Sequence, residues 1–159
     1  MHHYFNDDIT IETVNNLVDK LQAVDKEEKI ELYFTTNGGC PNSIEFLVGY
    51  FNTIKDRLTI TLTYYICSAG TAILEDFDGK IKIADLDYVM WHICDRKEYN
   101  HRTNQSYNTK IIKQQDKNTN LIFAEKIKNK GYLTDKQLKD FINGRDVYAY
   151  QEQIKTWKL

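Results

Sequence analysis

The sequence switches repeatedly between two hydrophobic periods, and this switching is its strongest constraint on the fold. Segments with apolar residues at helical spacing are separated by shorter segments rich in alternating or β-branched residues. Strands that alternate with helices are typical of α/β layer folds with parallel strands. The predicted strands are 29–37, 58–66, 80–84 and 87–93, and the predicted helices are 10–24, 42–56, 69–76, a segment around 111–127, 134–142 and 150–157.

The length of the chain and its few breakers indicate one domain. At 159 residues it can bury a sizeable core, and one proline, seven glycines and no low-complexity tract leave no evident linker. We therefore predict a single domain over residues 1–159. Thr10 and Thr134 stand directly before helical patterns and are predicted N-caps.

Composition and charge exclude several classes of function. The formal net charge of −2 gives no electrostatic sign of a nucleic-acid binder. No apolar run approaches the roughly 20 residues that span a bilayer, and the polar N-terminus lacks the apolar centre of a signal peptide, so we predict a cytoplasmic protein without membrane contact. The three cysteines cannot all pair and form no CxxC motif, which predicts reduced thiols that pack as small apolar side chains; they are Cys40, Cys67 and Cys94. No cofactor and no metal site is predicted.

Ser68 has the most suggestive position of the three serines. It follows the predicted strand 58–66 by two residues and directly precedes the predicted helix 69–76. The free N–H groups at the start of such a helix could stabilise an oxyanion. Helix capping accounts for Ser43, and Ser106 lies in a polar run. A serine before a helix is ordinarily a cap, so position alone leaves both interpretations of Ser68 open.

Two other features are predicted near the same edge of the sheet. The segment 35-TTNGGCP-41 follows a strand, and its two glycines free the backbone to turn sharply and approach a ligand; an ordinary Asn-Gly turn is the alternative. His92 ends the segment 87–93, either as a packed rim residue or as the base that a serine nucleophile needs. Loops that follow parallel strands meet at one edge, where functional groups collect.

Four motifs in this order resemble the Clp protease proteolytic subunit family of the crotonase-like superfamily. The segment 36-TNGG-39 is similar to the end of the family's Asn-Ser-Pro-Gly-Gly, 67-CSAGT-71 to Ala-Ser-Met-Gly-Ala, and 90-MWH-92 to Met-Ile-His. The segment 144-GRDVYAYQEQI-154 is similar to the Arg-Asp-x-aromatic segment that carries the family's acid, although it also fits a plain surface turn. The resemblance covers residues 9–155, approximately.

The resemblance implies a serine peptidase with a Ser-His-Asp triad. Ser68 would attack the scissile carbonyl, His92 would transfer the proton, and Asp146 would orient the imidazole. The backbone N–H groups of Gly39 and Ala69 would form the oxyanion hole.

The resemblance also implies an architecture and partners. It predicts a crotonase-like α/β fold of repeated strand–strand–helix units. A handle region at about 95–130 would protrude from this fold, and its long helix would occupy 104–130. The subunits would form a homo-oligomeric ring that acts on peptides or unfolded protein. The family's unfoldase ATPase docks partly through an N-terminal loop and first strand. Too few residues precede the first helix for these, with His2 and His3 expected at a frayed end, which argues against that partner.

Two alternatives to the peptidase stay open. One is a catalytically silent relative acting as an interaction or structural subunit. It is favoured by Tyr64, which stands where the family usually has glycine, and by the short N-terminus. The other is an acyl-CoA enzyme on the same scaffold, against which the Ser68–His92 pair counts, because such enzymes usually employ carboxylates.

Overall fold

The computed structural model describes residues 1–93 and 105–159, and in the second range side chains are described from residue 117 onward except at 119. The described chain divides into two compact units. The first contains Met1–Trp91 and Tyr148–Leu159, and the second contains His92–Val147.

A five-stranded sheet in the order β1-β2-β3-β4-β5 forms the centre of the fold. β1 to β4 pair in parallel, as the alternation of strands and helices predicts, so the α/β class is confirmed. The strands are β1 (His2–Asn6), β2 (Ile30–Thr36), β3 (Leu58–Cys67), β4 (Lys80–Trp91) and β5 (Val147–Tyr150).

Helices connect the strands and follow the last of them. They are α1 (Ile11–Gln22), α2 (Pro41–Thr53), α3 (Ala72–Asp76), which continues a 3₁₀ turn at Ser68–Thr71, then α4 (Gln105–Lys130), α5 (Asp135–Ile142) and α6 (Gln151–Ile154). Thr10 and Thr134 each close a capping box, as predicted, with Thr13 and Gln137 respectively. None of the helices in the described part of the chain combines the length and apolarity needed to cross a bilayer.

Alternate residues of the central strands form the core of the first unit. In β2 and β3 these inward residues are at most 2% exposed; they are Ile30, Leu32, Phe34, Leu58, Ile60 and Leu62. The apolar stripes of α1 and α2 bury most of the side chains that their spacing predicts. Ile11 is 73% exposed, so its assignment to the core stripe is wrong, and Ile54, the C-cap of α2, is half-buried.

Three sequence-based predictions about strands need correction. The N-terminus is not frayed, because His2–Asn6 forms β1 and pairs in register with Glu31–Thr35 of β2. The segments 80–84 and 87–93 form one strand, β4, which continues through Asp85. β5 precedes α6 and was not predicted, since four residues are too few to show a period.

The described part of the second unit contains the long helix α4 and the short helix α5. α4 runs over 26 residues, which confirms a long helix in the predicted handle region, and α5 contacts it. The buried apolar residues of this unit include Ala124, Ile127, Tyr132 and Phe141. The part of the predicted handle before residue 105, and Cys94, lie outside the described residues.

Candidate functional site

Ser68 occupies a strained turn at the carboxyl end of β3. It is the first residue of the 3₁₀ turn that leads into α3, and its φ of +54° lies in the left-handed region. The Thr71 hydroxyl donates a hydrogen bond of 2.8 Å to the Ser68 carbonyl, which helps to hold the turn. Non-glycine residues in this conformation cost about 1–2 kcal/mol and cluster at functional sites, notably where a nucleophilic serine is presented between a strand and a helix.

Gly38 packs directly against Ser68. A Cβ placed on Gly38 would lie 2.6 Å from Ser68 Cβ, 2.8 Å from the Cys67 carbonyl oxygen and 3.1 Å from Ser68 Oγ. Only a residue without a side chain fits there, and its φ of +103° also requires glycine. The glycine loop, residues 37–40, and the Ser68 turn therefore share one edge of the sheet, as the sequence predicts.

Residues that follow β1 and end β2 fix the path of the glycine loop. The Ile9 N–H donates to the Gly38 carbonyl at 2.7 Å, and the Cys40 N–H donates to the Ile9 carbonyl at 2.8 Å. Gly39 lies so close to Ile9 that a Cβ on this glycine would overlap the Ile9 carbonyl. Thr36 Oγ1 accepts from the Gly38 N–H at 3.0 Å and donates to the Asp7 carbonyl at 2.8 Å.

Two backbone donors stay available beside Ser68. Among the described residues, no hydrogen bond is donated by the N–H of Gly39 or by the N–H of Ala69. The second is free because Ala69 lies in the first turn of the helical segment after β3. These are the two N–H groups that the resemblance assigns to the oxyanion hole.

His92 and Asp146 belong to the second unit, whereas Ser68 and the glycine loop belong to the first. His92 directly follows β4 and Asp146 directly precedes β5, and both residues are exposed. Within their unit, a Cβ on Gly144 would lie 3.4 Å from Ile93 Cδ1, so the segment that carries Asp146 passes beside the segment that carries His92.

Arg145 forms its ion pair with Asp140 and not with the neighbouring Asp146. Its Nη1 lies 2.8 Å from Oδ1 of Asp140 on α5. The turn at 144–146 is therefore held by an ion pair to the preceding helix, and Asp146 stays exposed at the start of β5.

A buried polar pair anchors the end of β4 just before His92. Trp91 Nε1 donates to Glu75 Oε1 of α3 at 2.9 Å, and these side chains are 1% and 5% exposed. A hydrogen bond to a buried carboxylate is stronger than a neutral one, so it fixes the point at which the chain leaves the sheet. No local pattern in the sequence indicates this long-range contact.

A groove of about 700 Å³ adjoins the glycine loop. It is lined by the β1–α1 loop from Asp8 to Ile11 and by the β2–α2 connection, namely Asn37 to Cys40 with Asn42 and Ser43. Both loops follow the carboxyl ends of neighbouring parallel strands, where open α/β sheets bind ligands. Neither Ile9 nor Thr36 was identified from the sequence, because their roles come from contacts between strands.

The two described cysteines differ in environment. Cys67 is buried as predicted, and burial raises the pKa of its thiol, while a hydrogen bond with Tyr88 acts in the opposite direction. Cys40 is exposed, so its packing as a buried apolar residue is wrong.

Cys40, rather than Ser43, is the N-cap residue of α2, and its side chain forms no capping hydrogen bond. The Ser43 hydroxyl near the thiol lowers the pKa of Cys40, and the N–H groups of Ser43 and Asn42 lower it further. The capping role expected for Ser43 is therefore replaced by a buried position in the first helical turn.

The described part of the chain contains no group of three or more His, Cys, Asp or Glu side chains that could hold a metal ion. In comparisons with known proteins, no family model and no curated protein matches this chain.

Proposed function

We propose that this protein is a serine peptidase in which Ser68 is the nucleophile, with a crotonase-like fold similar to that of the Clp proteolytic subunit. The observation that carries the proposal is the packing of Gly38 against Ser68, whose backbone is left-handed. The approach is so close that a Cβ on Gly38 would lie 2.6 Å from Ser68 Cβ. A plain helix cap requires neither the strain nor the close approach of a second loop.

Two backbone N–H groups near Ser68 would form the oxyanion hole of the proposed site. The N–H groups of Gly39 and Ala69 flank Ser68 in the two loops and are uncommitted among the described residues. They would stabilise the negative oxygen of a tetrahedral intermediate, where one lost donor typically costs about 3 kcal/mol. Gly39 is suited to this because it presents its amide without a side chain.

His92 and Asp146 complete the proposed triad. As Ser68 Oγ bonds to the substrate carbonyl carbon, the hydroxyl proton passes to the His92 imidazole; the C–N bond then breaks as that proton passes to the leaving amine. Water hydrolyses the resulting ester by the same steps and restores Ser68. Asp146 would hold the imidazole, and the contact of Gly144 with Ile93 supports this pairing because it brings the two segments together.

Labelling with a fluorophosphonate, followed by intact-mass measurement, tests the nucleophile. We expect one adduct on the wild type and on Ser43→Ala, a matched control in the first turn of α2, and none on Ser68→Ala. His92→Ala should slow labelling at least about a hundredfold, because the general base is lost. Ser68→Ala should keep its fold, since the loss of one hydroxyl and its hydrogen bond costs about 1 kcal/mol.

The same experiment separates the peptidase from a silent relative. A wild type that forms no adduct, while folded and assembled, would refute the nucleophile and favour an interaction or structural subunit. An adduct that persists in Ser68→Ala would refute the assignment of this serine.

A further inference from the structure

Thr36, the last residue of β2, lies between the two loops of the candidate site. Its side chain is 2% exposed, and it pairs with Ile66 of β3, two residues before Ser68. Threonine carries a hydroxyl and a methyl on one carbon whose torsion is restricted. One buried side chain can therefore hold two neighbouring segments at a fixed separation.

The hydroxyl of Thr36 holds the glycine loop. Its Oγ1 accepts a hydrogen bond of 3.0 Å from the buried N–H of Gly38 and donates one of 2.8 Å to the Asp7 carbonyl after β1. Without this acceptor the Gly38 N–H would be buried and unsatisfied, so the loop would shift to reach another partner. Gly39, whose N–H is one of the two proposed oxyanion donors, follows directly in the chain.

The methyl of Thr36 holds the Ser68 turn. A Cβ placed on Gly70 would overlap Thr36 Cγ2, so this methyl occupies the space that a side chain at position 70 would need. Gly70 is buried and directly follows Ala69, whose N–H is the other proposed oxyanion donor. The contact therefore sets how closely the Ser68 turn approaches the end of β2.

Two oxyanion donors act together only when both reach the same oxygen. Effective donors lie about 2.7–3.1 Å from the oxyanion, and a misplacement of about 1 Å can cost about a hundredfold in rate. Thr36 contacts the residue beside each donor, since Gly38 precedes Gly39 and Gly70 follows Ala69. Its hydroxyl and its methyl therefore act on the two sides of the oxyanion hole.

We propose that Thr36 is a positioning residue, which holds the glycine loop and the Ser68 turn at the separation that the oxyanion hole requires. The inference rests on the proposed peptidase function for its catalytic meaning, because Thr36 acts through the backbones of Gly39 and Ala69. It adds a residue outside the triad and the hole on which the rate should depend.

Removal of a buried hydroxyl at two adjacent positions tests the proposal. Thr36→Val keeps the shape and the methyl but removes both hydrogen bonds. Thr35→Val is the matched control, because Thr35 is 3% exposed in the same strand and its Oγ1 lies 2.8 Å from the Thr63 carbonyl oxygen and 2.7 Å from the Thr63 hydroxyl. Both variants should lose stability in urea, but only Thr36→Val should slow fluorophosphonate labelling of Ser68, by at least about tenfold.

Moving the methyl across the contact tests the other side of the hole. Gly70→Ala adds a methyl that overlaps Thr36, and it should slow labelling at least about a hundredfold. Thr36→Ser keeps the hydroxyl and removes the opposing methyl, so Thr36→Ser/Gly70→Ala should regain at least about tenfold in rate. The other atoms near a Cβ at position 70 lie at ordinary distances, Ile66 Cγ2 at 3.5 Å and Ile9 Cδ1 at 3.8 Å, so the paired change fits. The urea midpoint should show the same rescue.

Amide exchange gives a measurement that needs no catalysis. In isotope-labelled protein followed by NMR, the Gly38 N–H should exchange at least about tenfold faster in Thr36→Val than in the wild type or Thr35→Val. Only Thr36→Val lacks the oxygen that accepts from this N–H.

The outcomes separate the positioning role from the chemistry. Equal labelling rates in Thr36→Val and Thr35→Val, or a double variant that labels no faster than Gly70→Ala, would overturn the role of Thr36. A wild type that forms no adduct, together with faster Gly38 exchange in Thr36→Val alone, refutes the peptidase and supports the role of Thr36 in holding the loop. No adduct together with unchanged exchange refutes both.

Discussion

At the scale of residues, the candidate site depends on backbone conformations that most side chains avoid. Ser68 and Tyr64 have φ values of +54° and +57°, and Gly38 and Gly39 have +103° and +143°. Tyr64 stands where the resemblance leads one to expect glycine, and it adopts a conformation that favours glycine while its side chain is 59% exposed. Strained backbone conformations persist only where the surrounding structure enforces them. Here the strained residue Tyr64 lies at a shift in the pairing register between β3 and β4, a few residues before Ser68.

Gly38→Ala tests the close approach of the two loops. We expect a loss of about 2–4 kcal/mol in the free energy of unfolding, because the added methyl meets Ser68 and the backbone leaves the region allowed to alanine. Urea denaturation measures this, and fluorophosphonate labelling should be lost in the same variant.

Gly49→Ala is the control for that substitution. Gly49 lies within α2, and nothing lies within 4 Å of a Cβ placed there. We expect this variant to be more stable by about 0.5–1 kcal/mol, because alanine favours the helix. Two alanine variants of equal stability would contradict the packing of Gly38 against Ser68.

At the scale of elements, β1 shows how a weak local pattern becomes a strand. Its five residues pair with β2. Two of its aromatic rings also stack on rings of β2, Tyr4 on Tyr33 with centroids 5.1 Å apart and Phe5 on Phe34 with centroids 4.8 Å apart. The N-terminal amino group donates to the Lys29 carbonyl at 2.7 Å, which secures the end of the strand.

His3 should make the stability of this strand depend on pH. Burial lowers the pKa of His3 below its ordinary value of about 6.5, and the positive N-terminal amino group and Lys20 lower it further, while Glu28 opposes them. The folded state therefore disfavours the charged imidazole. Its contribution is fully present above about pH 6.5 and is lost as the pH falls through the lower folded pKa.

Urea unfolding at pH 8, 6 and 5 checks this dependence. The wild type should lose more stability between pH 8 and 5 than His3→Gln, which has no imidazole at this position. His2→Gln removes the exposed imidazole on the other face of β1, 3.9 Å from Glu31, and is the comparison for a histidine change in this strand. Identical pH profiles for His3→Gln and the wild type would show that His3 does not cause the loss.

At the scale of the whole molecule, one face of the sheet presents an unusual number of tyrosines. They occupy positions that alternate with the core residues, and neighbouring rings stack, for example Tyr65 with Tyr88 at 5.9 Å and Tyr148 with Tyr150 at 6.0 Å. Tyr4 and Tyr150 are 73% and 61% exposed. Parallel sheets are ordinarily covered on both faces, so exposed rings on this one favour association.

The ring of subunits that the resemblance implies leads to a direct expectation of mass. Light scattering coupled to gel filtration, at micromolar concentration, should give a mass several times the 18.8 kDa of one chain. Dilution should shift the mass downward if exposed apolar surface drives association. A monomer at every concentration would contradict the assembly and would leave the peptidase to be tested on a single chain.

The sequence by itself determined most of the helices and strands and the residues that cap or turn them. Hydrophobic period, capping residues and glycines act within a few positions, which is why the caps at Thr10 and Thr134, the parallel α/β order and the Ser68 turn after β3 could be predicted. The tertiary structure decided what depends on distant residues: that His2–Asn6 is a strand, that Ile11 faces solvent, and that Ile9 holds Gly39 while Gly38 packs on Ser68. Such contacts join residues about thirty or more positions apart, and no local pattern encodes their register.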